Sequence, residues 1–448
     1  MQRKARTTAV SLLAAAAMLV LAACGKGPAP APGAQGGSTP AQPSQQAGGA
    51  AAEVKEVRIG AIYPVTGTSA VAGTDLSNGV KLAAEIINGE FPDLNLPLAK
   101  TKGLPGLGGA QVKVIFADHQ ADPNKGKAEA ERLVTQEKVA ALFGAYNSSV
   151  TGAIAPVAER YQIPFLNAES SSPTLTELGF KWFFRTTPHD GIFAENFFQF
   201  LEDLKKQGKL QNPTIALVNE NGLFGQDATK QEKKYAEQYG YQIVEEIAYS
   251  AKATNVTAEV QRLKAKQPDV IFHASYGPDA ILYMKTYKEF DLAPKIILAQ
   301  DAGFVDSQFL KNLGKDGEYV FSREVWSLDL AKNNPQIAKV NDMYKERFGT
   351  DMNGNSARAF TGLLVLADAI NRAGSTEPEK IRQALQETRI GPEQLIMPWK
   401  GVQFDEKGQN TLGTGIIVQV QNQKYVTVWP FDLASAEPIV PMPAWSQR

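Results

Sequence analysis

From Val57 onward, short runs of β-branched and apolar residues alternate with longer amphipathic stretches. An alternation of strands and helices predicts parallel sheets with helices on both faces. The predicted strands are nearly continuous apolar runs, as expected when both faces of a sheet are covered. They are Val57–Ile62, Gln111–Ala117, Ala140–Ala145, Pro164–Asn167, Thr214–Asn219, Gln242–Tyr249, Val270–Ala274, Ile296–Ala299 and Tyr319–Ser322.

The alternation occurs twice, over residues 57–187 and 188–322, and therefore predicts two doubly wound α/β lobes. Helices are predicted between the strands at Asp75–Asn88, Asn124–Glu137, Ser149–Tyr161, Gly191–Gln207, Gln226–Tyr239, Asn255–Lys266 and Pro278–Phe290. Further along are the helical stretches Pro335–Phe348, Ser356–Asn371 and Glu377–Glu387 and the β-like pieces Gly415–Val420 and Tyr425–Trp429. Ligands bind at the carboxyl ends of strands in open α/β sheets, so the cleft between the lobes is the predicted site.

Each lobe is expected to include a later segment of the chain as well as its own repeat. Lobe 1 is assigned to residues 56–187 plus 324–398, and lobe 2 to residues 188–323 plus 399–435, with a C-terminal tail at 436–448. The hinge strands are expected near Thr186–Pro188, Ser322–Val325 and Pro398–Phe404. A folded region of about 390 residues is too long for one hydrophobic core, which agrees with two lobes.

The first 23 residues are typical of a secretory signal peptide. Three basic residues precede an apolar run from Leu12 to Ala23, which is shorter than the roughly 20 residues of a membrane span. The run ends in Leu21-Ala22-Ala23-Cys24, which resembles the lipobox of bacterial lipoproteins. That resemblance implies that Cys24 is acylated and becomes the mature N-terminus.

Residues 24–55 are predicted to be the lipidated Cys24 and a disordered tether. The stretch is almost entirely Gly, Ala, Pro, Ser, Thr and Gln as far as Ala52, and it lacks the apolar surface needed to form a core. The folded region is therefore expected to be exported and anchored to a bacterial membrane on its periplasmic or extracytoplasmic face. Such a location disfavours functions that need cytosolic ATP, NAD or DNA.

Composition excludes several classes of function. Without the signal peptide, Asp and Glu exceed Lys and Arg by four, and the charges are interspersed, so no basic stripe indicates nucleic-acid binding. Three widely spaced histidines and a single cysteine predict neither a zinc site nor a disulfide. No cofactor is predicted. The chain lacks a Gly-x-Ser-x-Gly elbow, a Walker A loop and a His-Glu-x-x-His motif, which favours a non-enzyme.

A series of short motifs resembles the type I periplasmic binding proteins, in particular the leucine/isoleucine/valine-binding proteins of ABC importers. The resemblance covers about residues 57–435 and rests on the order and spacing of the motifs. They are Val57-Arg58-Ile59-Gly60-Ala61-Ile62, Thr66-Gly67, Gly79-Val80-Lys81-Leu82-Ala83, Asp118…Asp122-Pro123, Gly144…Asn147-Ser148-Ser149, Ile163-Pro164-Phe165, Phe184-Arg185-Thr186 and Gly222-Leu223-Phe224-Gly225.

This resemblance implies two Rossmann-like lobes joined by a multi-strand hinge, with the ligand in the cleft between them. It implies a monomer that captures an amino acid, branched-chain or related, and delivers it to the membrane permease subunits and their ATPases. On the same fold, amides, urea-like compounds and aromatic acids are alternative ligands. A sensor that signals to a membrane receptor is an alternative to a transporter subunit.

In the first lobe, Asn147-Ser148-Ser149 follows a predicted strand and begins a predicted helix. A serine there can simply cap the helix, but the same helix start offers free amides to an anion. The resemblance implies that Ser148 and nearby amides hold a ligand carboxylate, and Tyr146, Asn147 and Ser149 are included in the predicted site.

After the next strand, in Glu169-Ser170-Ser171-Ser172, the resemblance assigns two more ligand contacts. The carbonyl of Glu169 would accept from the ligand ammonium, and Ser171 would bind both head groups. The Glu169 side chain is expected to lie in solvent.

In the second lobe the predicted ligand contacts are Phe224, Tyr276 and Asp301. Tyr276 and Asp301 each follow a predicted strand. The resemblance implies that Asp301 pairs with the ligand α-ammonium, because an unpaired buried charge is unfavourable; a simple helix cap is the alternative. The chain departs from the family pattern at Phe224, which lacks the hydroxyl of the usual Tyr, and at Ala72, where an aromatic ring can contact the ligand.

Overall fold

The computed structural model describes residues 54–448. The predicted signal peptide, Cys24 and all but the last two residues of the predicted tether lie outside the described residues. Within 54–448, no helix combines the length and the apolar character that crossing a bilayer requires.

The first sheet consists of five parallel strands that precede residue 186. They are β1 (Glu56–Tyr63), β2 (Gln111–Asp118), β3 (Ala141–Gly144), β4 (Phe165–Asn167) and β5 (Phe183–Arg185). Their spatial order is β2-β1-β3-β4-β5. The carboxyl ends of β3 and β4 therefore lie side by side, and the loops after them are neighbours.

The second sheet has seven strands. They are β6 (Ile215–Glu220), β7 (Ile243–Tyr249), β8 (Val270–Ala274), β9 (Ile296–Ala299), β10 (Phe321–Glu324), β11 (Ile416–Gln421) and β12 (Lys424–Trp429). The order is β12-β11-β10-β9-β8-β6-β7. Strands β6 to β10 are parallel, whereas β11 is antiparallel to both of its neighbours, β10 and β12.

Helices cover both sheets and follow the strands in alternation. They are α1 (Ala70–Asn88), α2 (Pro123–Thr135), α3 (Ser148–Tyr161), α4 (Thr174–Glu177), α5 (Asp190–Lys206), α6 (Leu223–Tyr239), α7 (Thr257–Lys266), α8 (Gly277–Glu289), α9 (Phe309–Leu313), α10 (Pro335–Phe348), α11 (Gly354–Ala373) and α12 (Pro378–Gln386). Below, the first lobe means the first sheet with α1–α4 and α10–α12, and the second lobe means the second sheet with α5–α9.

Helix α11 has a defined start and is buried along most of its length. Asn353 caps it by accepting from the backbone N–H of Ser356, whose hydroxyl in turn accepts from the backbone N–H of Asn353. The helix packs along α1, and most of its side chains are buried in the core of the first lobe. This packing holds Arg358, near the start of α11, in a fixed position at the cleft.

The predicted α/β architecture with two doubly wound sheets is confirmed. The structure adds β5, which the sequence analysis did not identify, and extends β10 through Glu324, two residues beyond the predicted Tyr319–Ser322. Arg323 is consequently part of a buried strand. The hairpin around residues 402–410, which the predicted lobe limits place in lobe 2, pairs with β5 of the first sheet through Arg185 and Gln409.

Candidate functional site

The loops at the carboxyl ends of the strands converge on a small cavity between the lobes, here called the inner cavity. It measures about 20 Å³, close to the space of one water molecule. Its walls include seven of the nine predicted ligand-binding residues: Tyr146, Ser148, Glu169, Ser171, Phe224, Tyr276 and Asp301. The remaining wall residues are Ser170, Ala302, Arg323 and Arg358.

The other two predicted residues, Asn147 and Ser149, line a neighbouring cavity of about 200 Å³, here called the outer cavity. Tyr276 contributes to the walls of both cavities. Ser149 Oγ accepts from the backbone N–H of Leu223 at 3.3 Å, so this residue joins α3 to α6 of the second lobe.

Ser148 is the first residue of α3 and is buried. The capping alternative is not supported, since the N-cap residue Asn147 makes no side-chain hydrogen bond to the helix start. The first turn of α3 therefore retains backbone N–H groups that can hold an anion.

Ser171 lies opposite Arg323 of β10. Arg323 Nη2 donates to Ser171 Oγ at 3.1 Å, and both side chains are buried. A ligand carboxylate at Ser148 and Ser171 would therefore lie close to a guanidinium of the hinge strand.

Glu169 is placed differently from the expectation. Its side chain is only 4% exposed, so the prediction that it lies in solvent is wrong. Tyr63 of β1 donates to Glu169 Oε1 at 2.7 Å, and the backbone N–H of Ala168 donates to Oε2 at 3.3 Å. Burial raises the pKa of Glu169 to about 7, while the charge of Arg358 opposes this rise.

Asp301 lies just after β9 and is also buried. Its Oδ2 is 2.6 Å from Arg358 Nη1 and 3.1 Å from Arg323 Nη1, while Oδ1 has no partner among the described residues. The alternative of a helix cap is not supported, because the side chain makes no cap hydrogen bond. Its φ of 62° is in the left-handed region, which is unfavourable for a non-glycine residue and recurs at functional sites.

Four charges form a chain across the cleft. Asp190 Oδ1 lies 3.3 Å from Arg323 Nη2. Arg323 also forms an ion pair with Asp301, and Asp301 forms a second ion pair with Arg358. Burial raises the pKa of Asp190 to about 6, although the charge of Arg323 favours its ionised form. With both Asp residues ionised, the two positive and two negative charges balance.

Three aromatic rings form the apolar part of the site. Tyr276 lies 5.7 Å from Tyr146 of the first lobe and 5.5 Å from Phe224 of the second, measured between ring centroids. Such distances are typical of packed aromatic pairs. A flat or apolar ligand group could therefore pack among these rings once the lobes separate.

Arg323 and Arg358 are the charged wall residues of the inner cavity that sequence reasoning missed. Arg358 stands near the start of a mainly apolar predicted helix, and Arg323 directly follows a predicted strand. Fully buried arginines are rare unless they are paired, so their sequence context was a usable signal. Their pairing with Asp301 was not predictable, because Asp301 is distant from both of them in the sequence.

Comparison with known proteins identifies relatives of this chain. The family model described as periplasmic binding protein matches residues 56–424. A Leu/Ile/Val-binding protein homolog 7 of Brucella suis is 26% identical over 396 residues, which are 87% of this chain and 95% of that protein. Homolog 8 of Brucella abortus is 24% identical over 393 residues, 86% of this chain and 93% of that protein.

Solved structures share the fold. The leucine-binding protein LivK of Thermotoga maritima aligns with a TM-score of 0.71 at 22% identity, covering 83% of this chain and 97% of that chain. LivJ of Streptococcus pneumoniae, solved with isoleucine, aligns with a TM-score of 0.69 at 20% identity. The alignment covers 86% of this chain and 100% of that chain. A Rhodopseudomonas palustris solute-binding protein, solved with benzoate, aligns with a TM-score of 0.71 at 16% identity. The alignment covers 87% of this chain and 98% of that chain.

These similar proteins are binding proteins, which confirms the prediction that the chain is not an enzyme. The match to the family model covers the first sheet and the second sheet as far as the start of β12. The chain belongs to the periplasmic binding protein family.

Proposed function

We propose that this protein is the solute-binding subunit of an ABC importer, which captures an amino acid or a related small carboxylate and delivers it to the permease. Membership of the family implies an extracytoplasmic location. The observation that carries the proposal is the inner cavity, where hydroxyl groups of the first lobe face charged and aromatic groups of both lobes.

The proposed carboxylate subsite consists of Ser148, Ser171 and the amides at the start of α3. A hydroxyl group and free N–H groups at a positive helix end are suited to a carboxylate. Arg323 strengthens the preference for an anion, because its guanidinium already contacts Ser171. Two acids in the cavity wall, Glu169 and Asp301, are available to a ligand ammonium.

Aromatic acids are a second candidate class. The specific observations are the three adjacent rings of Tyr146, Phe224 and Tyr276, and the pairing of Asp301 with two arginines. A ring-bearing carboxylate without an amine would use both features. The benzoate complex of the Rhodopseudomonas palustris protein supports a role of this kind on the same fold.

Identification of the bound solute tests the proposal. Mass spectrometry of material released from denatured, purified protein should detect an amino acid or an aromatic acid, and calorimetry should show that it binds back. Ser148→Ala and Ser171→Ala should each weaken binding, by about 1.5–3 kcal/mol for a hydrogen bond to a charged group. Ser446→Ala, at an exposed serine that lines neither cavity, is the matched control. If no small carboxylate binds, the proposed function is wrong.

We also propose that Cys24 carries the lipid and that the protein works as a tethered monomer near the permease. A long polar tether lets the cleft reach a membrane partner, which supports this role. Cys24→Ala should release the protein from the membrane fraction of cells, whereas Ser44→Ala, a change of similar size in the tether, should leave it there. Equal membrane retention of Cys24→Ala and the unmodified protein would contradict the anchor.

A further inference from the structure

Counted together, the inner cavity and the chain of four charges contain three acids (Glu169, Asp190 and Asp301) and two bases (Arg323 and Arg358). Arg323 and Arg358 are already matched by Asp190 and Asp301 in the chain of four charges. Glu169 is an additional acid in the wall of this cavity. A ligand that brings only a negative charge would leave this additional acid without a countercharge.

Within residues 54–448, Glu169 has no ion-pair partner at 4.0 Å or less. Its carboxylate accepts hydrogen bonds only from a phenol and a backbone amide, both of which are neutral. A buried carboxylate without a cation is unfavourable, and a ligand ammonium would supply the missing charge. Asp301, by contrast, already has two guanidinium groups, which would repel a third cation nearby.

We propose that the carboxylate of Glu169, rather than that of Asp301, pairs with the ammonium of an amino-acid ligand. The inference rests on the proposed function and names the ligand class of the same cavity: α-amino acids, in preference to carboxylates that lack an amine.

The placement of Glu169 has a mechanistic consequence. Glu169 is two residues from Ser171, and both line the inner cavity together with Ser148. The first lobe then supplies the contacts for both the carboxylate and the ammonium of the ligand. The second lobe supplies Phe224 and Tyr276 and closes over a head group that is already bound.

Several charged and titratable groups face Glu169 from the elements around it. Tyr63 lies on β1 and Arg358 on α11. The other titratable or charged groups that line the cavity with Glu169 are Tyr146, Tyr276, Asp301 and Arg323. Because burial raises the pKa of Glu169 to about 7, the group is mostly protonated at pH 6 in the ligand-free protein. An ammonium favours the ionised form, so binding at pH 6 should release a proton, and affinity should fall as the pH is lowered below 7.

The experiment compares amino acids with their deaminated counterparts on the full-length protein. The probes are L-leucine with 4-methylpentanoate, and L-phenylalanine with 3-phenylpropionate. Glu169→Gln should weaken binding of the amino acid by roughly a hundred- to a few-thousand-fold, and should change binding of the deaminated acid only a few-fold. Calorimetry at pH 6 in two buffers of different ionisation enthalpy should show proton release with the unmodified protein and none with Glu169→Gln.

Two variants serve as controls. Tyr63→Phe removes a hydrogen bond but keeps the carboxylate, so the loss should stay below about tenfold. Glu324→Gln removes another buried acid, one that does not line the inner cavity, and should not abolish proton release.

The other possible results distinguish failure of the Glu169 assignment from failure of the proposed function. If Glu169→Gln binds the amino acid within a few-fold of the unmodified protein, the inference is wrong. If the unmodified protein binds only the deaminated acids, the ammonium role fails while the proposed function stands. If Asp301→Asn alone removes the preference for the amine, Asp301 is the anchor. Failure of every carboxylate probe would instead contradict the proposed function.

Discussion

Asp301 holds two guanidinium groups on one carboxylate oxygen, at a position that the second lobe presents to the cleft. The pair with Arg358 joins the second lobe to α11 of the first. Such a pair replaces part of the hydration that both charges lose on burial. Loss of the Asp301 charge would leave Arg358 without an ion-pair partner among the described residues and Arg323 with Asp190 alone. The principal role of Asp301 is therefore expected to be structural.

Asp301→Asn should lower the free energy of unfolding by about 3–5 kcal/mol, the usual effect of breaking a buried ion pair. Urea denaturation at neutral pH measures this difference. Asp432→Asn, at an exposed aspartate, is the control and should change stability by less than about 0.5 kcal/mol. Unchanged stability together with loss of amino-acid binding would contradict the structural role and support direct contact with the ligand.

The site residues show where sequence reasoning succeeds and where it fails. Ser148, Ser171 and Tyr276 were predictable because each follows a strand, and the carboxyl ends of parallel strands face the same cleft. Their assembly around one cavity agrees with that reasoning, while their contact with a ligand remains a prediction. Arg323 and Arg358 were missed because the motifs did not include them. Their apolar sequence context was a usable signal, but their pairing with Asp301 joins distant parts of the chain and was not predictable.

At the level of elements, the long helices and buried strands were predictable from apolar periodicity, whereas β5 was not. This strand has only three residues, Phe183–Arg185, and it pairs with residues near Gln409. Short strands are determined by long-range pairing rather than by local pattern. The antiparallel addition of β11 and β12 to the second sheet is a long-range feature of the same kind.

The close packing of α1 on α11 positions Arg358 and gives a prediction about Gly79. A Cβ atom at Gly79 would lie 2.2 Å from the carbonyl oxygen of Ser356, two residues before Arg358. Gly79→Ala should therefore force the helices apart and lower the free energy of unfolding by about 1–3 kcal/mol. Chemical denaturation tests this expectation.

Gly152→Ala in α3 is the matched control for that change. A Cβ atom there has its nearest neighbours at 3.6 Å, an ordinary contact distance. The substitution should be neutral or stabilise by up to about 1 kcal/mol, through the higher helix propensity of alanine. Equal losses of stability in the two variants would show that the close approach of α1 and α11 is not the cause.

For the whole molecule, the contacts between the lobes describe a closed cleft. Ser149 of α3 accepts from Leu223 of α6, and Asp227 of α6 accepts from Ser172 and from the backbone N–H of Thr174. The inner cavity is then too small for an amino acid, which has several times the volume of a water molecule. Ligand entry therefore requires the lobes to separate about the strands that connect them.

A ligand that contacts both lobes binds the closed form more tightly, and so it should shift the equilibrium toward closure. Small-angle scattering should show a smaller radius of gyration at saturating ligand.

Asp227→Ala removes two contacts between the lobes without touching the inner cavity. At about 1 kcal/mol for each lost hydrogen bond, affinity should fall about five- to thirtyfold, whereas Lys230→Ala, at an exposed residue of the same helix, should not change it. An unchanged radius of gyration would contradict closure. A contact made only in the closed form must contribute to the affinity of any ligand that requires closure. Unchanged affinity in Asp227→Ala would therefore show that the contacts of Asp227 do not stabilise the closed form.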